Sequence, residues 1–173
     1  MMTKLPDVSS LITELARAIG TPPAGTVLVG IHTGGVWVAE KLSAAMPVKL
    51  PMGTLAITLH RDDYDRRGIA RNANNGLRVA HSTSTRMPMD ITDRHVLLVD
   101  DVIASGRTVR AAMNELFDFG RPASVKFACL ADRGGRELPV MPDYCPLKLD
   151  VPQGEEVVLG KDGDRLTLQF HKK

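Results

Sequence analysis

Aromatic side chains are scarce in this chain: one Trp, two Tyr and four Phe, 4% of 173 residues. So few rings provide no stacking platform of the kind that holds the splayed bases of single-stranded nucleic acid. Cysteine is scarcer still, with only Cys129 and Cys145 and no CxxC spacing. A disulfide-stapled framework is thereby excluded, and a reduced intracellular chain with inert thiols is expected. No apolar run approaches the roughly 18 residues of a membrane helix, and the opening MMTKLPDVSS lacks the apolar core of a signal peptide. A cytoplasmic protein with no membrane partner is the expectation. An excess of one charge sign is also missing. A net charge of +2 and a pI near 8.6 permit contact with nucleic acid without demanding it.

What remains is an ordinary globular composition, 43% hydrophobic and 24% charged. A chain of 173 residues reads as one domain, residues 1–173, able to bury roughly two thirds of its unfolded surface without a metal staple. Asp7, Ser9 and Ser10 offer caps to a first helix carrying Leu11, Ile12, Leu15, Ala16 and Ile19 at helical spacing, ended by Gly20 and Pro22-Pro23. Residues 26–31, TVLVGI, read as a buried strand that delivers His32-Thr33-Gly34-Gly35 into a helix over 36–46. Residues 48–50 and 53–60 read as strands, the second with Leu55, Ile57 and Leu59 on one face. Between 64 and 93 there is little periodicity, and so long a connection suits a lid, a binding loop or a solvated hairpin. Ser124 begins a further strand, SVKFACL, and the tail around Lys161-Asp162-Gly163-Asp164 reads as a closing hairpin. Three strand-then-helix units, an inserted lid and a terminal hairpin predict an α/β fold with a mostly parallel sheet.

The stretch with most chemistry is VLLVDDVIASGRT, residues 96–108. Four consecutive apolar residues suit a parallel strand covered on both faces. Asp100 and Asp101 follow at its carboxyl end, where open α/β sheets place ligands. Ala104-Ser105-Gly106 is small enough to let a ligand approach the main chain. A helical pattern then begins, with Val109, Ala112, Met113, Leu116 and Phe117 on one face. A loop feeding a helix amino terminus is a ready anion site, because its N–H groups are unpaired and the dipole is positive there. A receiver domain also follows a short strand with two Asp, but its acidic pair lies near the amino terminus and nothing like SGRT comes next. His60-Arg61-Asp62-Asp63 superficially matches a kinase catalytic loop, yet the required Asn would fall at Arg67 and no glycine-rich nucleotide loop precedes it.

The 96–108 segment resembles the phosphoribosyl-pyrophosphate (PRPP) signature of type I phosphoribosyltransferases, and VDDVIASGRTVRAAMNELFDFGRPASVKFACLADRGGRELP resembles the PyrR family of pyrimidine operon regulators that are also uracil phosphoribosyltransferases. The resemblance covers about residues 30–157 and is weakest between 65 and 88. It implies a type I phosphoribosyltransferase-like sheet flanked by helices, with a flexible hood over residues 61–94 and a C-terminal hairpin. It implies that uracil and PRPP are converted to UMP and pyrophosphate, with pyrimidine-responsive regulation of biosynthetic genes as a second role. Val102, Ile103, Ala104, Ser105, Gly106, Arg107 and Thr108 would bind the phosphate of PRPP, and Thr33, Gly34 and Gly35 would receive pyrophosphate. The family's usual Thr-Arg-Gly loses its guanidinium here, because Gly34 stands in the middle position. Arg133 and Val157 would meet the nucleotide and the uracil edge, and Arg61, Asp62 and Asp63 would begin the hood, where His60 replaces the usual Tyr.

Asp100 and Asp101, as catalytic residues, cannot bind phosphate directly; they would accept from the ribose hydroxyls and stabilise positive charge growing at C1′. The resemblance further implies Mg2+ held mainly by PRPP oxygens with no direct protein ligand, an mRNA leader as a partner, and a homo-oligomer. The competing reading is a transcription-attenuation regulator that binds RNA and senses UMP or PRPP with little or no catalysis. A purine phosphoribosyltransferase or a non-catalytic PRPP-binding module would share the 96–108 segment as well.

Overall fold

The computed structural model describes residues 5–57 and 85–172. The expected hood residues Arg61, Asp62 and Asp63 lie outside the described residues, together with most of the 61–94 segment. The chain opens with helix α1 (Val8–Ile19), whose first turn is capped by Asp7: its Oδ2 accepts from the Ser10 N–H at 3.3 Å. Strand β1 (Val27–Ile31) follows, then α2 (Gly34–Ala45), β2 (Met52–Leu55), β3 (His95–Ile103), α3 (Arg107–Leu116) with a short 3-10 turn (Phe117–Phe119), β4 (Ser124–Asp132) and β5 (Leu147–Lys148). The last elements are β6 (Glu155–Asp162) and β7 (Arg165–Lys172), an antiparallel hairpin turning at Gly163 and Asp164.

The five strands β2-β1-β3-β4-β5 form one sheet, and every pairing in it is parallel. Its apolar runs serve two cores at once. Leu28, Leu97, Val99, Ala128 and Leu130 face α1, α2 and the β6-β7 hairpin. Val27, Val29, Val96, Leu98 and Phe127 face α3 on the other side. Burial on both faces is what makes these strands read as unbroken hydrophobic runs in sequence.

The strand order determines where a ligand can sit. From β1 the chain crosses through α2 to β2 on one side, whereas β3 lies on the other side of β1 and crosses through α3 to β4. The two crossovers diverge between β1 and β3, and the loops leaving these strands open a crevice at their carboxyl ends. The Thr33-Gly34-Gly35 loop and the Asp100-to-Thr108 segment are those two loops.

Three expectations change. Residues 48–50 form no strand, since Pro47 and Pro51 bracket them without N–H donors, and β2 begins only at Met52. Of the strand expected over 53–60, residues 53–55 are formed and 56–57 are not, β1 ending as the partner of Leu55 at Ile31, while 58–60 lie outside the described residues. A third strand-then-helix unit is not formed: after β4, residues 133–146 run irregularly, with Gly134 and Gly135 at φ 69 and 74 and with Pro139, Pro142 and Pro146 denying helical donors. The end of the long connection is firmly packed, with Arg86 exchanging both main-chain hydrogen bonds with Thr54 at 2.8 Å and Ile91 fully buried.

Candidate active site

A cavity of about 340 Å³ occupies the crevice. Its walls come from the first turn of α2, the end of β3, the start of α3, Arg133 after β4, and residues 156–159 of β6. This volume falls within the usual range for small-molecule sites.

Strand β3 runs four residues past Val99, so both acids lie within the strand: Val102 pairs with Ala131 and Ile103 with Asp132. Asp100 is only 4% exposed, opposite Cys129 in the neighbouring strand. Its Oδ1 accepts from the Asp101 N–H and the Asp101 Oδ1 accepts from the Val102 N–H, each at 2.9 Å. These short bonds hold both carboxylates at the cavity wall in fixed orientations. Cys129 beneath them is held as a thiol, because its contact with the Cys145 thiol and then its burial raise it well above the ordinary value.

The loop after β1 is built on close approach. A β-carbon at Gly35 would come within 2.9 Å of the Asp100 Cα, so only glycine lets α2 start this close to β3. The His32–Thr33 peptide is cis. Thr33 and Gly34 line the cavity, whereas Gly35 is packed beneath it.

Of the seven residues expected to hold phosphate, Val102, Ile103, Ala104, Gly106 and Thr108 line the cavity and Ser105 and Arg107 do not. Ser105 is buried, and its Oγ accepts from the Arg107 N–H at 3.2 Å. The Arg107 side chain turns away to Glu137, donating from Nε at 2.7 Å. Gly106, at φ 91, begins α3 in the left-handed region that suits glycine. Carbonyls of the loop are engaged by the segment after β4: Ile103 accepts from the Arg133 N–H at 3.1 Å, and Ser105 accepts from the N–H groups of Glu137 and Leu138 at 3.0 and 3.1 Å. In a planar trans peptide the N–H points opposite the C=O. With the Ser105 carbonyl turned toward residues 137 and 138, the Gly106 N–H points away from them, and Gly106 lines the cavity.

Arg133 and the 7%-exposed Val157 both line the cavity, so the expected nucleotide and base contacts converge on the acids. Five lining residues were not anticipated: Trp37, Val109, Glu156, Val158 and Leu159. Trp37 lies three positions after Gly34 on α2, hence on the same helix face, with the Lys161 ammonium 5.5 Å from its ring centroid. Glu156 adds a carboxylate beside Val157. Among the described residues no group of three or more His, Cys, Asp or Glu is arranged to hold a metal, and no helix is long and apolar enough to cross a membrane.

Comparison with known proteins agrees with this architecture. The family model for the phosphoribosyl transferase domain matches residues 5–158. The Bifunctional protein PyrR of Ralstonia nicotianae is 40% identical over 162 residues, covering 93% of this chain and 87% of that protein. The Bifunctional protein PyrR of Pseudomonas paraeruginosa is 47% identical over 131 residues, covering 76% of this chain and 72% of that protein. The crystal structure of a purine phosphoribosyltransferase from Pyrococcus horikoshii Ot3 shares the fold, with a TM-score of 0.59 at 23% identity over 83% of each chain. The chain therefore belongs to the PyrR family, within the type I phosphoribosyltransferases.

Proposed function

We propose that this protein is a uracil phosphoribosyltransferase that joins uracil to PRPP, giving UMP and pyrophosphate, and that it doubles as a pyrimidine-responsive regulator acting on an mRNA leader. The observation that carries the reading is convergence: a phosphate-type loop, two oriented carboxylates, a second glycine loop and one edge of β6 wall a single cavity. Relatives 40–47% identical that bear the name Bifunctional protein PyrR support it. The single domain across residues 1–173, a homo-oligomer and a cytoplasmic location belong to the same proposal.

In this reading the 5′-phosphate rests on the N–H groups of the Ala104-to-Thr108 loop, of which Ala104, Gly106 and Thr108 line the cavity, and on the Thr108 hydroxyl. Asp100 and Asp101 accept from the ribose 2′- and 3′-hydroxyls. Their negative charge stabilises C1′ as its bond to the pyrophosphate oxygen breaks and a bond to uracil N1 forms, the N1 proton leaving to solvent. Thr33 and Gly34 receive the departing pyrophosphate. Among the described residues the β6 main chain at Val157 pairs with β7 alone, so its other edge can face uracil. The donor set fits magnesium: two carboxylates at the cavity wall are hard oxygen acceptors for the waters of an ion held chiefly by PRPP oxygens. When bound, the ion neutralises charge on the leaving group. What the protein itself supplies is positioning and fixed electrostatics.

The test is pyrophosphate release from PRPP with uracil, guanine, hypoxanthine or orotate as acceptor. Turnover with uracil alone is the expected result. Faster turnover with any of the other three overturns the assignment.

A further inference from the structure

The segment after β4 does more than contribute Arg133 to the cavity wall. Arg136 lies outside that wall, yet its guanidinium donates from one terminal nitrogen to the Ala104 carbonyl and from the other to Asp132 Oδ2, the latter at 2.7 Å. The pair is largely buried, with side chains 22% and 14% exposed. Asp132 is itself held, since its Oδ1 accepts from the Gly134 N–H at 3.0 Å. The guanidinium thus spans two fixed points, one on each side of the turn.

The bond to Ala104 has a geometric consequence. The Ala104 carbonyl and the Ser105 N–H belong to one planar peptide and point in opposite directions. Drawing the carbonyl toward Arg136, outside the cavity, fixes the plane of the 104–105 peptide and with it the path of the loop, whose Ala104 and Gly106 line the cavity. The neighbouring peptide is oriented in the same way by main-chain donors from Glu137 and Leu138, but the 104–105 peptide has its carbonyl held by a side chain.

We propose that Arg136, clamped by Asp132, is a positioning residue for phosphate recognition: through the Ala104 carbonyl it holds the loop whose Ala104 and Gly106 line the cavity, without touching ligand. This rests on the reading that the loop holds the 5′-phosphate of PRPP and UMP. Lysine cannot replace it fully, because one ammonium on a flexible stem does not span both acceptors as the planar fork does.

The experiment is calorimetric titration of the full-length protein and of its R136M, R136K and D132N variants with UMP and with uridine, which lacks the phosphate. R136M is expected to weaken UMP at least tenfold while changing uridine less than twofold, and R136K to recover part of the loss. D132N is expected to weaken UMP about threefold, because an unclamped guanidinium orients the peptide less well. Tighter UMP binding by D132N would mean that the released arginine contacts phosphate itself, and would overturn the proposal. Equal losses for UMP and uridine, or unchanged UMP affinity in R136M or in R136K, would overturn it too. Should R136M fail to fold, R136K and D132N decide the matter alone. If the unmodified protein binds UMP no better than uridine, the phosphate reading beneath the proposal fails, an outcome distinct from the others.

Discussion

Gly34 lies against the Asp101 carboxylate, so closely that a β-carbon at residue 34 would come within 2.5 Å of Asp101 Cγ. The glycine that departs from the family's usual arginine is therefore fitted to the orientation of a carboxylate on the facing strand. Gly35 is constrained more severely, because its missing β-carbon would meet main-chain atoms of Val99 and Asp100, which have nowhere to move. The two glycines should consequently fail in different ways. Gly35→Ala is expected to cost about 1–3 kcal/mol of stability through overpacking, read as a lower denaturation midpoint. Gly34→Ala should leave stability closer to the parent and depress turnover, since a short side chain can rotate away but then misplaces Asp101. Comparable stability losses for both, with turnover of Gly34→Ala intact, would refute this division.

Thr108 presents its hydroxyl at the first turn of α3, where the cavity meets the helix amino terminus. Thr108→Val keeps the shape and removes the hydroxyl. A lost hydrogen bond to a charged group is expected to weaken UMP by about 1–2 kcal/mol, on the order of tenfold in affinity. Unchanged UMP affinity in the folded variant would remove Thr108 from the phosphate site.

Trp37 is the chain's only tryptophan, and it lines the cavity with Lys161 over its ring. Indole emission should therefore respond saturably to UMP, with a midpoint matching the calorimetric dissociation constant. Binding detected by calorimetry with no change in emission would locate UMP elsewhere.

Much of this site was legible because its parts are contiguous. An apolar run, two acids and a small-residue turn into an amphipathic helix occupy residues 96–116 without interruption, and each piece has a local signature. The glycine loop after β1 was legible for the same reason. What escaped notice depends on tertiary register. Trp37 could have been found from its spacing to Gly34 on a helix, but nothing local says which face of α2 meets the cavity. Arg136 sits in a turn rich in charges, and its partner Ala104 is 32 residues away, a distance no periodicity reports. The strand expected at 48–50 failed on Pro47 and Pro51, a visible signal outweighed by alternation in the residues between. The length of β3 past Val99 was hidden because the acids that interrupt its apolar run are held by β4, which continues beside them to Asp132.

The balance between catalysis and RNA regulation is the remaining question, and it has a thermodynamic handle. Specific recognition of an RNA loop normally needs cations for phosphates and planar groups for bases. This chain has 22 lysines and arginines against 20 acids, and aromatics are 4% of it. Weak binding that collapses with salt would thus follow from charge alone and would not identify a regulator. Regulation requires coupling: if UMP in the cavity raises affinity for RNA by some factor, RNA must raise affinity for UMP by the same factor. The decisive measurement is binding to the leader RNA of the adjacent pyrimidine genes at physiological salt, with and without UMP. If catalysis is the main role, binding should be weak and indifferent to UMP while uracil turnover is robust. Tight, sequence-specific binding enhanced by UMP, with a reciprocal gain in UMP affinity, would make regulation the main role and catalysis the accessory one.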